Sequence, residues 1–383
     1  MKEENLKKVV ELRHRLHAHP ELSYQEYWTK DTLMEFLKVY TNLTLYDKGK
    51  YFYAVYRSDN RNKRAAIAFR ADIDGLPIED QIEEPYRSKF PGIGHKCGHD
   101  GHAATLCGLA LEIDRMKLDR DVYLIYQHAE ETGQGAAEAK SCLIENEDIV
   151  EIYAYHNQTE SETGEITISK GCSNCASKGM TIKMTGTPTH ASLPEKGKNP
   201  VFAFARLVSK LPQIADARRY KGIVLCTVVQ LSVGEYAFGI AADAGVLRMT
   251  IRGEYEEELN RMRLEIMEFA REEAEKAGVT CQFTFEDEFP ETRNGEKCAE
   301  KVLKAAKLLG YRTVEKKDGP YRGSEDFGHF LKIRPGALFF VGNGIDCPSF
   351  HTAAYDFNDE IIPYAVELFK KLIVMKGAID EDE

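Results

Sequence analysis

The chain has 383 residues, 43% of them hydrophobic and 30% charged, with a formal net charge of −11. That length suits about two or three domains, each able to bury a core, and the composition excludes a disordered or fibrous chain. The acidic balance argues against a nucleic-acid partner, which favours a basic surface. No stretch approaches the length of a membrane span, so no membrane partner is expected. The charged start Met1-Lys2-Glu3-Glu4 lacks the apolar centre of a signal peptide. Nine cysteines, an odd number without framework spacing, suit a reducing cytoplasm. Cys172-Ser173-Asn174-Cys175 is a lone CxxC and receives no redox or metal role. Apart from the short acidic end Asp380-Glu381-Asp382-Glu383, no run of like charge is long enough for an interaction arm.

Along the chain, Leu6, Val9, Val10 and Leu16 recur at helical spacing and predict a helix that stops before Pro20. A second helical pattern covers 27–39. Residues 51–57 and 65–71 read as strands. Ala103, Ala104, Leu106, Cys107, Leu109 and Ala110 place a helix at 105–113, directly after a His-rich turn. Apolar runs at 122–126 and 152–155 fit buried strands. Strands and helices alternate, which predicts an α/β layer architecture.

The rhythm then changes. A strand at 180–185, a helix at 200–211 with Pro200 in its first turn, strands at 223–233 and 246–252, a long helix at 256–277 and a strand at 281–285 follow in order. This β-α-β-β-α-β order is the ferredoxin-like pattern. The expectation is an α/β catalytic domain of residues 1–174 and 290–383. Into it a ferredoxin-like lid or dimerisation domain, 175–289, is inserted. Helix 298–309, strand 336–341 and helix 361–375 complete the larger domain.

Chemistry concentrates in Cys97-Gly98-His99-Asp100-Gly101-His102, read with Glu130-Glu131. Taken singly, a Cys fills a core and a Glu-Glu pair is a solvated face. Together, thiol, imidazole and paired carboxylates suit a metal ion. His156 ends the strand at 152–155, and His351 follows the strand at 336–341. In an open α/β sheet, ligands gather beyond the carboxyl ends of strands. Four strand ends supplying metal-type ligands form a more specific signal than any one of them. A structural zinc site is disfavoured, because such sites use closed Cys/His sets at short spacing. A metal-binding or storage protein without turnover is disfavoured by the spare carboxylate at Glu130.

These stretches, together with His17-Ala18-His19-Pro20-Glu21-Leu22-Ser23, Arg70-Ala71-Asp72-Ile73-Asp74-Gly75-Leu76-Pro77, Gln127-His128-Ala129-Glu130-Glu131 and Gly323-Ser324-Glu325-Asp326-Phe327, resemble the M20 family of dinuclear metallohydrolases. So does the closing His351 followed by Tyr355-Asp356-Phe357-Asn358-Asp359. The likeness is to that family's amidohydrolase branch, subfamily D, which includes hippurate, N-acyl-amino-acid and auxin-conjugate hydrolases. The resemblance implies Cys97, His99, Glu131, His156 and His351 as ligands of two divalent ions (zinc, manganese, cobalt or nickel). It implies Glu130 as general base and Asp74 as an acidic residue that orients a ligand.

In the lid, His190 would stabilise the oxyanion, and Arg252 would bind a substrate carboxylate. The implied reaction is hydrolysis of a small amide, such as an N-acyl amino acid, by a metal-activated water. A dipeptidase or aminopeptidase of the same family is the alternative, and a homodimer through the lid is implied. Two positions depart from the family pattern: His128 stands where Pro is usual, and Thr132-Gly133-Gln134-Gly135 replaces a tighter Gly-Gly. Roles as supporting residues are expected for His95, His102 and His128.

Overall fold

The computed structural model describes residues 1–60 and 63–377, so the acidic end lies outside the described residues. In chain order it begins with helices α1 (Glu3–His17) and α2 (Tyr27–Tyr40) and strands β1 (Thr44–Asp47), β2 (Phe52–Tyr56) and β3 (Arg64–Asp72). Helix α3 (His99–Ile113) and strands β4 (Arg120–Gln127), β5 (Ile149–Thr159) and β6 (Ile166–Ser169) follow. Next come β7 (Ala176–Thr185), α4 (Val201–Ile214), β8 (Val224–Val233), β9 (Ala244–Gly253), α5 (Glu256–Ala277) and β10 (Thr280–Phe289). The chain closes with α6 (Glu296–Leu308), β11 (Thr313–Lys316), β12 (Gly336–Gly344) and α7 (Ile362–Val374).

Two compact units result. The larger holds 1–173, 292–318 and the chain from Asp326 onward; the smaller holds 174–291 and 319–325. In the larger unit eight strands form one sheet in the order β1-β2-β4-β3-β5-β12-β6-β11. Neighbours among β4, β3, β5 and β12 are parallel. Every residue of β4 is buried, as expected of a central parallel strand covered on both faces. Val9, Leu16, Leu33, Leu106, Leu109, Val302, Val366 and Phe369 from the helices meet Ile67, Phe69, Leu124, Tyr155 and Phe339 of the sheet in one core.

Helix α3 starts six residues earlier than its apolar periodicity suggests, at His99. Its first turn is polar, yet all of the helix except Glu112 is buried. Apolar spacing therefore marked only its distal turns. Likewise β5 runs on through His156 to Thr159 instead of ending before it.

The smaller unit is a four-stranded antiparallel sheet in the order β8-β9-β7-β10. Period-two alternation turns Met180, Ile182 and Met184 of β7, and Leu247, Met249 and Ile251 of β9, to one face. There they pack with Phe204, Leu207, Met262 and Ile266 of α4 and α5. This is the ferredoxin-like order. Strand β8 is an edge, and its Val228, Val229 and Leu231 are exposed.

Residues 319–325 join the smaller unit, although the sequence reading assigns them to the larger domain. The reason is local docking. Tyr321 bridges Asn174 and accepts the Cys175 N–H at 3.1 Å, and Gly323 accepts from Asn174 Nδ2 at 3.3 Å. No helix of the described residues is long and apolar enough to cross a membrane.

Candidate metal centre

The parallel strands β3, β4, β5 and β12 deliver polar residues at or beyond their carboxyl ends. Asp72 ends β3, with Asp74 just past it. Glu130 and Glu131 sit on the loop after β4, behind Ala129 at φ 49°. His156 lies within β5 opposite Phe340 of β12. His351 lies beyond β12 at φ 59°, its N–H bonded to Lys96 O at 2.8 Å.

Cys97 and His99 flank Gly98, whose φ of 99° starts α3. A Cβ at Gly98 would meet Asn157 Oδ1 and Tyr355 Oη at 2.6 Å, so both conformation and space require glycine there.

Ligand-type atoms converge in overlapping groups: Cys97, His99 and His156; Cys97, Glu131 and His351; His99, Glu130 and Glu131. Cys97 is common to the first two. His99 Nδ1 donates to Asp74 Oδ1 at 3.0 Å. That leaves Nε2 facing Glu131 Oε1 at 3.7 Å and Glu130 Oε2 at 3.9 Å. Asp74 also accepts from Ser23 Oγ at 2.7 Å and from the Glu131 N–H at 3.1 Å. His156 Nδ1 donates to the Asn157 carbonyl at 2.7 Å, so its Nε2 faces Cys97 Sγ at 3.4 Å. His351 Nε2 lies 3.6 Å from Glu131 Oε1. In each case the second ring nitrogen or backbone fixes which atom points inward, a common arrangement around metals.

Asp72, His99 and His102 also approach one another closely. His102, however, spends both ring nitrogens within the protein, on Asp72 Oδ1 at 2.6 Å and Asn157 at 2.8 Å.

The electrostatics call for a cation. Burial pushes the Cys97 thiol well above its ordinary value, and the Glu131 and Glu130 carboxylates add to it. Burial raises Glu131 to about 7 even beside His99. For His99 burial opposes the charged ring, but Asp72 and Asp74 outweigh it and hold the ring protonated up to about 10. Burial lowers His156 well below its usual value, with His102 contributing, and burial lowers His351 as well. His99 Nε2 and Glu131 Oε1 are buried without a hydrogen-bond partner, which is costly for a polar atom. A thiol, three imidazoles and carboxylates fit divalent ions of the zinc type. The cluster is a dinuclear divalent-metal site.

Behind it lies a network whose members the sequence motifs contained without revealing their contacts. Arg70 donates to Asp72, Asp326 and Gln127, each at 2.7 Å, and Asp326 also accepts from the Ala136 N–H at 2.8 Å. Arg70→Ala strands these buried carboxylates. The expected loss is about 3–5 kcal/mol of stability, read from the shift of the urea midpoint at constant slope; a shift under a quarter of that size would refute it. Gly135 belongs here too, because a Cβ on it would meet His128 O at 1.6 Å. His128 is buried and its Nε2 lies 3.4 Å from Glu138 Oε2, away from the ligand groups. Burial lowers His95 to about 4, so it is a neutral core residue. Burial pushes the Cys175 thiol up to about 11, which makes it a poor nucleophile.

His190 and Arg252 belong to the smaller unit. His190 pairs with Ile240 in a two-stranded ribbon and is exposed. Its Nδ1 accepts the Ser192 N–H at 3.1 Å, which puts the ring proton on Nε2. Arg252 Nη1 is held by Ser324 Oγ at 2.7 Å and Arg322 O at 2.8 Å.

A catalytic α/β sheet with a separate ferredoxin-like unit, and a Cys/His/Glu centre beyond the parallel strands, define a dinuclear metal-dependent amidohydrolase or peptidase. The chain belongs to peptidase family M20/M25/M40, which matches residues 68–375, and to its amidohydrolase-like branch. It is 28% identical to a hippurate hydrolase of Campylobacter jejuni over 94% of each chain. It is 28% identical to an N-acetylcysteine deacetylase of Bacillus subtilis over 96% of each. A dinuclear metal-binding M20 peptidase of Bacillus subtilis matches in structure with a TM-score of 0.82 at 25% identity, over 97% of this chain and 98% of that one.

Proposed function

We propose that the protein hydrolyses the amide bond of N-acyl amino acids. The observation that carries this reading is Glu130, a buried carboxylate that shares the His99 Nε2 face with its neighbour Glu131 but also accepts the Asp326 N–H at 3.4 Å. Adjacent carboxylates with different neighbours can hold different roles. Cys97, His99, Glu131, His156 and His351 would hold the two ions. When bound, such ions polarise a carbonyl and lower the pKa of water from about 15.7 towards about 7.

The rest falls to the chain. Glu130 takes the proton of the attacking water on a carboxylate oxygen and returns it to the leaving amine nitrogen. Asp74 keeps the His99 ring oriented. His190 Nε2–H donates to the oxygen that gains negative charge. Arg252, tethered through one nitrogen, offers its remaining donors to the carboxylate of the amino-acid part, in a fork geometry that Lys lacks. The names of the hippurate and N-acetylcysteine relatives support this substrate class. The exposed apolar edge of β8 supports a homodimer joined through the smaller unit. The framework-free cysteines support a cytoplasmic location.

The test is metal-reconstituted activity against N-acetyl, N-benzoyl and longer N-acyl amino acids alongside dipeptides. The expected result is turnover of the N-acyl series that collapses when the product carboxylate is converted to an amide. A requirement for a free α-amino group would replace this reading with a dipeptidase.

A further inference from the structure

The N-terminal segment 21–26 reaches the metal centre only through other residues. Glu21 accepts the N–H groups of Trp28 at 3.2 Å and Thr29 at 2.8 Å, which fixes the start of α2. Its own carbonyl accepts the Gly75 N–H at 2.7 Å, and Leu22 bridges Gly75, so the segment is docked beside Asp74. Ser23 Oγ then donates to Asp74 Oδ2, the carboxylate that orients His99 and receives the Glu131 N–H.

Three residues on, Glu26 is only 5% exposed, and its Oε1 accepts the Ala129 N–H at 2.8 Å. Ala129 immediately precedes Glu130 and stands in the left-handed region at φ 49°, where a residue with a side chain needs outside support. The N–H groups on either side of Glu130 therefore both end on carboxylates, Glu26 and Asp74. The Glu26 carboxyl group also bonds the backbone at Tyr24 and at its own residue, so it ties the Ala129 loop to the segment that leads into α2. It is well suited to fixing where the next side chain points.

We propose that Glu26 is a positioning residue: its hydrogen bond holds Ala129 in the left-handed conformation and thereby aims the Glu130 carboxylate. This rests on the reading of Glu130 as general base.

The experiment compares Glu26→Ala, Glu26→Asp and Glu26→Gln in the full-length, metal-loaded protein. Ala removes the acceptor, Asp keeps the carboxyl group but falls one methylene short, and Gln keeps an oxygen at the right reach. The expected result is a loss of kcat of about 10²-fold for Ala and Asp, the scale of a misplacement near 1 Å. KM and the metal content stay at wild-type values, and Gln keeps most of the rate. Wild-type kcat in Ala or Asp, metal loss in step with activity, or Gln as slow as Asp would each overturn the proposal. If Glu26→Ala does not fold, the Asp and Gln pair decides alone. Glu130→Gln measured alongside separates the two readings. An active Glu130→Gln removes the base assignment. An inactive Glu130→Gln beside a fully active Glu26→Asp removes only the positioning role.

Discussion

Glu130→Gln lowers kcat by about 10³-fold, within the range of general acid–base catalysis, while KM and metal stoichiometry hold. The amide has nearly the shape of the carboxylate and can still accept the Asp326 N–H that lies 3.4 Å from Glu130 Oε1. What it loses is the capacity to take a proton and return it. The variant therefore separates proton transfer from architecture. Steady-state kinetics and metal analysis on the same preparation check it. Parallel loss of metal would make Glu130 a ligand and end the assignment.

Removing the metal has an effect at least as large. Dialysis against a chelator abolishes turnover, and readdition of divalent zinc, manganese, cobalt or nickel restores it. Binding must also expel protons, because Cys97 holds its proton well above the usual thiol range, Glu131 up to about 7 and His99 up to about 10. His156 and His351, both lowered, are neutral already near pH 7 and release nothing there. The sign follows: affinity rises with pH, about tenfold per unit for each proton displaced. Calorimetry at pH 6 and pH 8, in buffers of different ionisation enthalpy, counts those protons. At free metal about 1,000-fold above Kd the holoprotein gains about 4 kcal/mol over the apoprotein, visible as a raised Tm. An affinity independent of pH would contradict the proposal that these residues bind the metal.

Much of this was legible beforehand, for physical reasons. The smaller unit declared itself because β7 and β9 alternate with period two and α5 carries a long apolar stripe. The residues expected as metal ligands stood out as motif residues, although His156 lies within β5 and Cys97 and His99 flank the start of α3 instead of a strand end. Less legible were the four-residue strands β1, β6 and β11, too short for periodicity, and the polar first turn of α3. The partnerships of Ser23 with Asp74 and of Glu26 with Ala129 join residues far apart in sequence. No local pattern announces such contacts. Residues 319–325 escaped for the same reason, since hydrogen bonds to Cys175 and Arg252, not composition, assign them.

Ala129 and His351 share one property: both are non-glycine residues with positive φ at the metal centre. Each such conformation costs on the order of 1–3 kcal/mol. Selection for heat resistance alone would push both positions towards Gly or Asn, and at 351 that change would discard an imidazole. The most durable version of this fold and the most active one are therefore different sequences. A stabilisation campaign on this protein should leave both positions unchanged.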